Sequence, residues 1–293
     1  MNWCFGGLAS GFAIIGALAY LFVDRDVQEL AFTNFGAAIL MAIGLFFVWL
    51  KIGRKFRAWR AIFRPQTSWM TRELYAAAVF FPAVLIGIVF GSSIALLVAS
   101  LAALAFLICQ AKILHMAKGI PAWRAPLIPA MIFTSGLFEG VGLTAVLLFF
   151  FGAARADGGA TLTSGLAVAG IALAVLNAAL WMRYRQTAKA NGIPPLARRA
   201  IDGIAVPLHI AGHGVPLILF AVSLFAGSAA GYYLVIAGIA AVVGGFFWKY
   251  GMVVRASFQQ GFALGKLPHR GSGAKAAPAR TQGFASVKLA AAE

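Results

Sequence analysis

The ionisable side chains that fall within the long apolar stretches of this 293-residue chain are few, and each is a candidate for moving a proton. Glu73, preceded by Arg72, sits where a third apolar run begins, and a carboxylate there is costly unless paired or used. Glu139 lies about 12 residues into a fifth run, or roughly 18 Å at the helical rise. Either it belongs to a proton path, or it is a protonated acid hydrogen-bonded to a neighbouring helix. His209 and His213 stand at i and i+4 in a seventh run, on one helix face, with His213 between Gly212 and Gly214. They could serve a ligand pocket or proton relay, or only hydrogen-bond between helices. A haem b would need a ligand from another helix, such as His115, because two histidines on one helix cannot take opposite sides of one iron. Haem is therefore not expected. Cys4 and Cys109 match no C-x-x-C spacing and read as small core residues.

Eight apolar runs must position these groups, near 3–23, 31–50, 74–91, 93–111, 127–152, 160–182, 204–226 and 229–248. A bilayer core of about 30 Å needs roughly 20 apolar residues as helix, so most can span it, though the third looks short. Of the 24 Lys and Arg residues, 22 fall in alternate connections: 51–73, 112–126, 183–203 and the tail from Lys249. The other connections hold only Arg25 and Arg155, with Asp24, Asp26, Glu29 and Asp157. By the positive-inside rule the basic side is cytoplasmic and both termini lie there. The formal charge of +16 then describes one face, suited to anionic lipid or an acidic protein partner. With 62% hydrophobic residues, nucleic acid is excluded as a partner. No cleavable signal is expected, since residues 1–23 lack a basic start and Asp24-Arg25-Asp26 offers no small-residue cleavage site. The fold class is all-α integral membrane, with eight spans over residues 1–264, expected as two four-helix bundles. Residues 265–293 are expected to form a disordered basic tail.

Two connecting stretches carry more than composition. In 51–73, KIGRKFRAWRAIFRPQTSWMTRE, the residues Ile52, Phe56, Trp59 and Phe63 recur at helical spacing while Arg54, Lys55, Arg57 and Arg64 lie off that stripe. Such a segment should lie along the membrane surface until Pro65 stops it, with Ser68 or Thr71 capping the next span. In 118–143, Pro121, Pro126 and Pro129 hold an extended lead into the fifth span, and Trp123 suits the interface. Within that span Gly136, Gly140 and Gly142 permit close approach of another helix.

These stretches resemble a known family. Gly53, Arg54, Arg57 and Ala58 in a G-R-x-x-R-A core, the S-W-M-T-R-E ending at Glu73, and the later I-P-A-W-R-x-P-x-x-P with S-G-L are similar to the membrane-anchor subunits of dimethyl sulfoxide reductase-type molybdoenzymes, relatives of the NrfD and polysulfide reductase anchors. The resemblance implies an anchor that holds a molybdopterin catalytic subunit and an iron–sulfur subunit at a bacterial inner membrane. Such an anchor exchanges two electrons and two protons with a quinone, ubiquinone or menaquinone. It also implies that a His opening the second loop and a Glu ending it bind the quinol. Glu73 matches the Glu; Lys51 stands at the His position, and can donate to a quinone oxygen but is a poor proton relay.

The expected quinone and proton-handling set is thus Glu73, Arg72, Lys51, His213 and Glu139, while Arg54, Arg57 and Arg60 are expected to dock the iron–sulfur subunit or lipid heads. Molybdopterin and iron–sulfur clusters belong to the partner subunits, and no metal ligands are expected in this chain. The S-W-M-T-R-E form resembles the phenylacetyl-CoA:acceptor type of the family more than dimethyl sulfoxide reductase itself. A secondary transporter using the midplane Glu139, with Asn177, is the alternative from another class, and a haem-bearing or passive anchor is the alternative within this one.

Overall fold

Where the chain carries its apolar runs it forms, among the described residues, eight helices long enough to cross a bilayer. A computed structural model describes residues 2–53, 60, 62–117, 119–151 and 159–257. In chain order the spans are α1 (Asn2–Phe22), α2 (Val27–Lys51), α3 (Trp69–Val89), α4 (Ser93–His115), α5 (Ile128–Phe151), α6 (Gly159–Thr187), α7 (Pro195–Ser223) and α8 (Ala230–Tyr250). No strand occurs among the described residues, so the chain is an all-α, multi-pass membrane protein. The basic tail (265–293) and the loop residues Arg54, Phe56, Arg57 and Trp59 lie outside the described residues.

Short polar side chains set where the helices begin. Asp26 Oδ1 accepts from the Gln28 and Glu29 N–H groups, Ser68 Oγ from Thr71 N–H, and Ser92 Oγ from Ala95 N–H. The α3–α4 turn rests on Gly91, whose φ of 62° suits a residue without a side chain. The Ser68 cap starts α3 at Trp69 rather than at the expected 74, so Glu73 lies inside the helix and not at its mouth.

Two spans depart from regular α-helix. The seventh was expected to run over 204–226, but it starts at Pro195 and is broken into helical pieces at Pro195–Gly203, Ala205–Pro207 and Val215–Ser223 around a π-helical turn, Leu208–Gly214. Pro207 and Pro216 lack the N–H that the α ladder needs, and the Val215 N–H reaches back to Ile210 O. The eighth continues through a second π-helical turn, Gly251–Ala256, which carries Lys249 inside the last span instead of at the head of the tail.

Burial is inverted relative to a water-soluble bundle. Phe90, Ile94 and Phe225 are 76%, 74% and 88% exposed, whereas Asn34, Gln110 and Glu139 are fully buried. Apolar rings face lipid, and helix contacts inside rely on small residues and hydrogen bonds. The glycines of α5 supply such contacts on two sides: Gly136 and Gly140 abut Gly7 and Gly11 of α1, and Gly142 abuts Gly238 of α8. The first four helices pack on one another, as do the last four, and α1 lies against α5 between them. A shared apolar core runs from Leu107 and Leu114 of α4 past Ile128 of α5 to Trp181 of α6 and Trp248 of α8.

Candidate functional site

Glu73 stands in the second turn of α3, at the basic end of the bundle, with 5% of its surface exposed. Its Oε1 accepts a hydrogen bond from Asn2 Nδ2 at 2.9 Å, and the Gln110 amide of α4 is close enough to bond it as well. Gln110 Nε2 donates to Asn2 O at 3.1 Å, and Trp3 Nε1 to Gln110 O at 3.4 Å, so the first turn of α1 is pinned to α4 around the carboxyl group. Gly6 leaves the room: a methyl there would meet the Gln110 side chain and the Phe106 ring. Asn2 Oδ1 and Gln110 Oε1 are buried acceptors without a hydrogen-bond partner among the described residues.

Arg72 does not pair with Glu73. Its guanidinium turns back to the loop, donating to Pro65 O at 2.8 Å and Gln66 O at 3.0 Å, and lies 4.2 Å from the Trp69 ring centre. Adjacent side chains on an α-helix point about 100° apart, so Glu73 can face into the bundle while Arg72 faces the loop. Arg72 thus fixes the loop before α3 and leaves Glu73 to neutral amides. Lys51 is exposed in the last turn of α2, and no hydrogen bond or ion pair joins it to Glu73 among the described residues. Arg60 is exposed; Arg54 and Arg57 lie outside the described residues.

Glu139 is fully buried, and its partner is a residue that pattern reading placed in the tail. Lys249 Nζ of α8 donates to Glu139 Oε2 at 2.7 Å, with both side chains at 0% exposure. Ser135 Oγ donates to the other oxygen at 2.9 Å. The carboxyl group fits because Gly245 on α8 has no side chain to occupy its place. Glu139 is therefore an ion-paired group linking α5 to α8.

The two acidic sites approach one another at Gly7 of α1. A methyl built on Gly7 would meet Lys249 Nζ at 2.5 Å and Gln110 Oε1 at 3.9 Å, so the ammonium and the unpartnered amide oxygen border one small space. Ser135, which bonds Glu139, also lines a cavity of about 20 Å³ between α5, α6, α7 and α8, together with Asn177, Trp181, His213 and Trp248. That is room for a single water molecule. His213 Nδ1, Trp181 Nε1 and Trp248 Nε1 are buried without a protein partner among the described residues. Asn177 does not bond Glu139: it accepts from Thr134 Oγ1 at 3.0 Å and donates to the carbonyls of Thr134 and Leu173.

His209 and His213 face each other with ring centres 5.7 Å apart, His213 buried and His209 half-buried at the π-helical turn of α7. Nearby on the basic face, Asp202 accepts from Arg185 Nε and Nη2 at 3.0 and 2.9 Å. A cleft of about 540 Å³ opens at the opposite, acidic end and is lined by Tyr20, Asp26, Glu29, Thr33 and Thr144; none of the expected site residues among the described ones borders it.

The interfacial tryptophan has a structural partner: Trp123 Nε1 donates to Met252 O at 2.8 Å, within the π-helical turn that follows Lys249. Tyr184 OH donates to Ala122 O at 2.9 Å on the same short helix, Pro121–Arg124. The residues missed from sequence are Asn2, Gln110, Ser135 and Lys249. Gln110 carried a readable signal, a lone amide within an apolar span, whereas Lys249 looked like one more basic loop residue.

Residues 3–187, well over half of the chain, match the family model described as the DMSO reductase anchor subunit (DmsC). No curated protein matches the chain.

Proposed function

The chain belongs to the DMSO reductase anchor subunit (DmsC) family, and on that premise we propose that it is the quinone-reactive membrane anchor of a molybdopterin and iron–sulfur oxidoreductase. The observation that carries this reading is the buried Glu73 carboxyl group at the basic end of the bundle, held by Asn2 and Gln110 and, among the described residues, not by a cation. A carboxyl group without a counter-charge can take up and release a proton at modest cost, as two-proton quinone chemistry requires. The donor set fits the ring oxygens of a quinone: Glu73 can donate or accept, and the unpartnered Asn2 Oδ1 can accept from a quinol hydroxyl. When bound, the quinone supplies the two-electron redox chemistry; this chain positions the ring and handles the protons.

The partners are an iron–sulfur subunit and a molybdopterin catalytic subunit, docked on the basic face through charge complementarity that includes Arg54, Arg57 and Arg60. The chain lies in a bacterial inner membrane with the basic face and both termini cytoplasmic, in keeping with the excess of Lys and Arg on alternate connections. Catalytic subunits on that side act on a substrate kept in the cytoplasm, such as an acyl-coenzyme A of the phenylacetyl-CoA kind. Glu73→Gln tests the site in the purified complex. We expect loss of quinone-coupled turnover while the subunits still co-purify; wild-type turnover would remove Glu73 from the site. Charge reversal at Arg54 and Arg57 should release the partner subunits from membranes, and unchanged co-purification would refute the docking face.

A further inference from the structure

The quinone reading leaves a fully buried Lys–Glu pair without a task. Apolar side chains of equal volume would hold α5 to α8 at least as well, because two charges taken out of water recover only part of their lost hydration. The surroundings of the pair indicate what it does. On one side Lys249 Nζ and the unpartnered Gln110 Oε1 share the space beside Gly7, and Gln110 with Asn2 leads to Glu73. On the other, Ser135 bonds Glu139 and lines the single-water cavity together with His213, whose ring meets the half-buried His209.

We propose that the Lys249–Glu139 pair is the central link of a buried proton relay that crosses both halves of the chain, from His209 and His213 to the Glu73 carboxyl group. The proposal rests on the assignment of Glu73 to the quinone site. In each cycle a proton from the His213 side protonates the Glu139 carboxylate and frees the Lys249 ammonium. The ammonium moves the short distance past Gly7 to Gln110 Oε1 and gives its proton, through a water held by that oxygen, to the Glu73 carboxylate. The neutral amine returns and takes the proton from Glu139. One proton enters at the histidines, one arrives at Glu73, and the pair is restored. For quinol oxidation every transfer runs in reverse, and electrons pass separately to or from the iron–sulfur subunit. Such a route gives the buried carboxyl group a proton path that a quinone seated at the basic end does not block.

The small residue at position 7 is part of the device. A methyl there meets only the end of the flexible Lys249 side chain and the edge of the Gln110 amide, so Gly7→Ala should fold normally and hinder only the passage.

The test uses the intact complex in detergent. It compares wild type, Gly7→Ala, the charge-neutral double variant Glu139→Gln/Lys249→Met, and Glu73→Gln. The readouts are quinone affinity by direct binding, kcat of quinone-coupled turnover, and the solvent deuterium isotope effect on kcat. We expect Gly7→Ala and the double variant to bind quinone as wild type does, with a lower kcat and a larger solvent isotope effect. A purely structural role predicts no change in the isotope effect, and that outcome, or an unchanged kcat, overturns the relay. If Glu73→Gln itself turns over normally, the quinone assignment fails and the relay with it; if Glu73→Gln is inactive while the other variants match wild type, only the relay is lost.

Discussion

Two buried carboxyl groups, Glu73 on α3 and Glu139 on α5, are held in opposite ways. Glu73 is bonded by neutral amides of Asn2 and Gln110, near the basic end. Glu139 is locked to an ammonium, deeper in the bundle, with one further bond from Ser135. The difference separates a group that can change its proton count from one whose charge is matched. A carboxyl group among amides can be neutral or ionised with modest rearrangement, whereas protonating Glu139 leaves Lys249 as an uncompensated buried cation. The first arrangement suits an end point of proton transfer; the second suits a link that must move to pass a proton on.

The largest effect should come from unbalancing the second site. Lys249→Met alone leaves Glu139 buried without its partner and should destabilise the bundle by about 3–5 kcal/mol. Glu139→Gln/Lys249→Met together should recover most of that loss. Unfolding in mixed micelles, followed by helical circular dichroism, measures both. Equal destabilisation by the single and double changes would mean that the pair holds the helices by more than charge balance, and the contrast between the two sites would fail.

Next in size is the seam that brings the sites together. Gly140 of α5 rests on the backbone of Gly11 in α1, so Gly140→Ala forces these helices apart. Overpacking of this kind should cost about 1–3 kcal/mol. Because α1 carries Asn2 and Gly7, the same change should weaken quinone turnover although it touches neither carboxyl group. Full stability in unfolding scans, with wild-type turnover, would show that the two halves adjust independently.

The eight spans, the basic face and the glycine contacts of α5 were legible in the sequence because each rests on a local property: run length, charge placement, or side-chain size. Glu73 was legible for the same reason, as a carboxylate beside an apolar run. Its partners were not. Asn2 lies 71 residues from Glu73, and Gln110 lies 108 from Asn2, so only the packing of α4 against both α1 and α3 brings them together. Lys249 was misassigned because the charge pattern treats each cation after an apolar run as loop, while the π-helical turn at 251–256 carries the span onward past it. Arg72 was expected at the pocket because it adjoins Glu73 in sequence, yet helix geometry sends neighbours to different faces, and the loop carbonyls of Pro65 and Gln66 claim it. The pairing of Arg185 with Asp202 belongs to the same class, a contact between helices that no local pattern encodes.

A smaller effect distinguishes the amide-held site. Asn2→Ala removes the donor to Glu73 Oε1 and the acceptor beside it, and should cost about 1–2 kcal/mol of stability. Its larger consequence should be on affinity, because Asn2 Oδ1 is a proposed quinol acceptor. Direct quinone binding should weaken more than unfolding shifts; affinity equal to wild type would place the ring elsewhere.

The smallest effect sharpens the contrast from the other side. Ser135→Ala deletes the neutral bond to Glu139 while leaving Lys249 in place. In a membrane bundle one such hydrogen bond is worth about 0.6 kcal/mol on average, so the unfolding midpoint should barely move. Asn2 and Ser135 each contribute one hydrogen bond to a buried carboxyl group, yet their removal should differ in consequence, because the ammonium still satisfies Glu139 and no cation among the described residues pairs with Glu73. If Ser135→Ala destabilised the protein as much as Asn2→Ala, the ion pair would not be the dominant restraint on Glu139. The freedom of Lys249 to leave it for Gln110 would then depend on the serine as well.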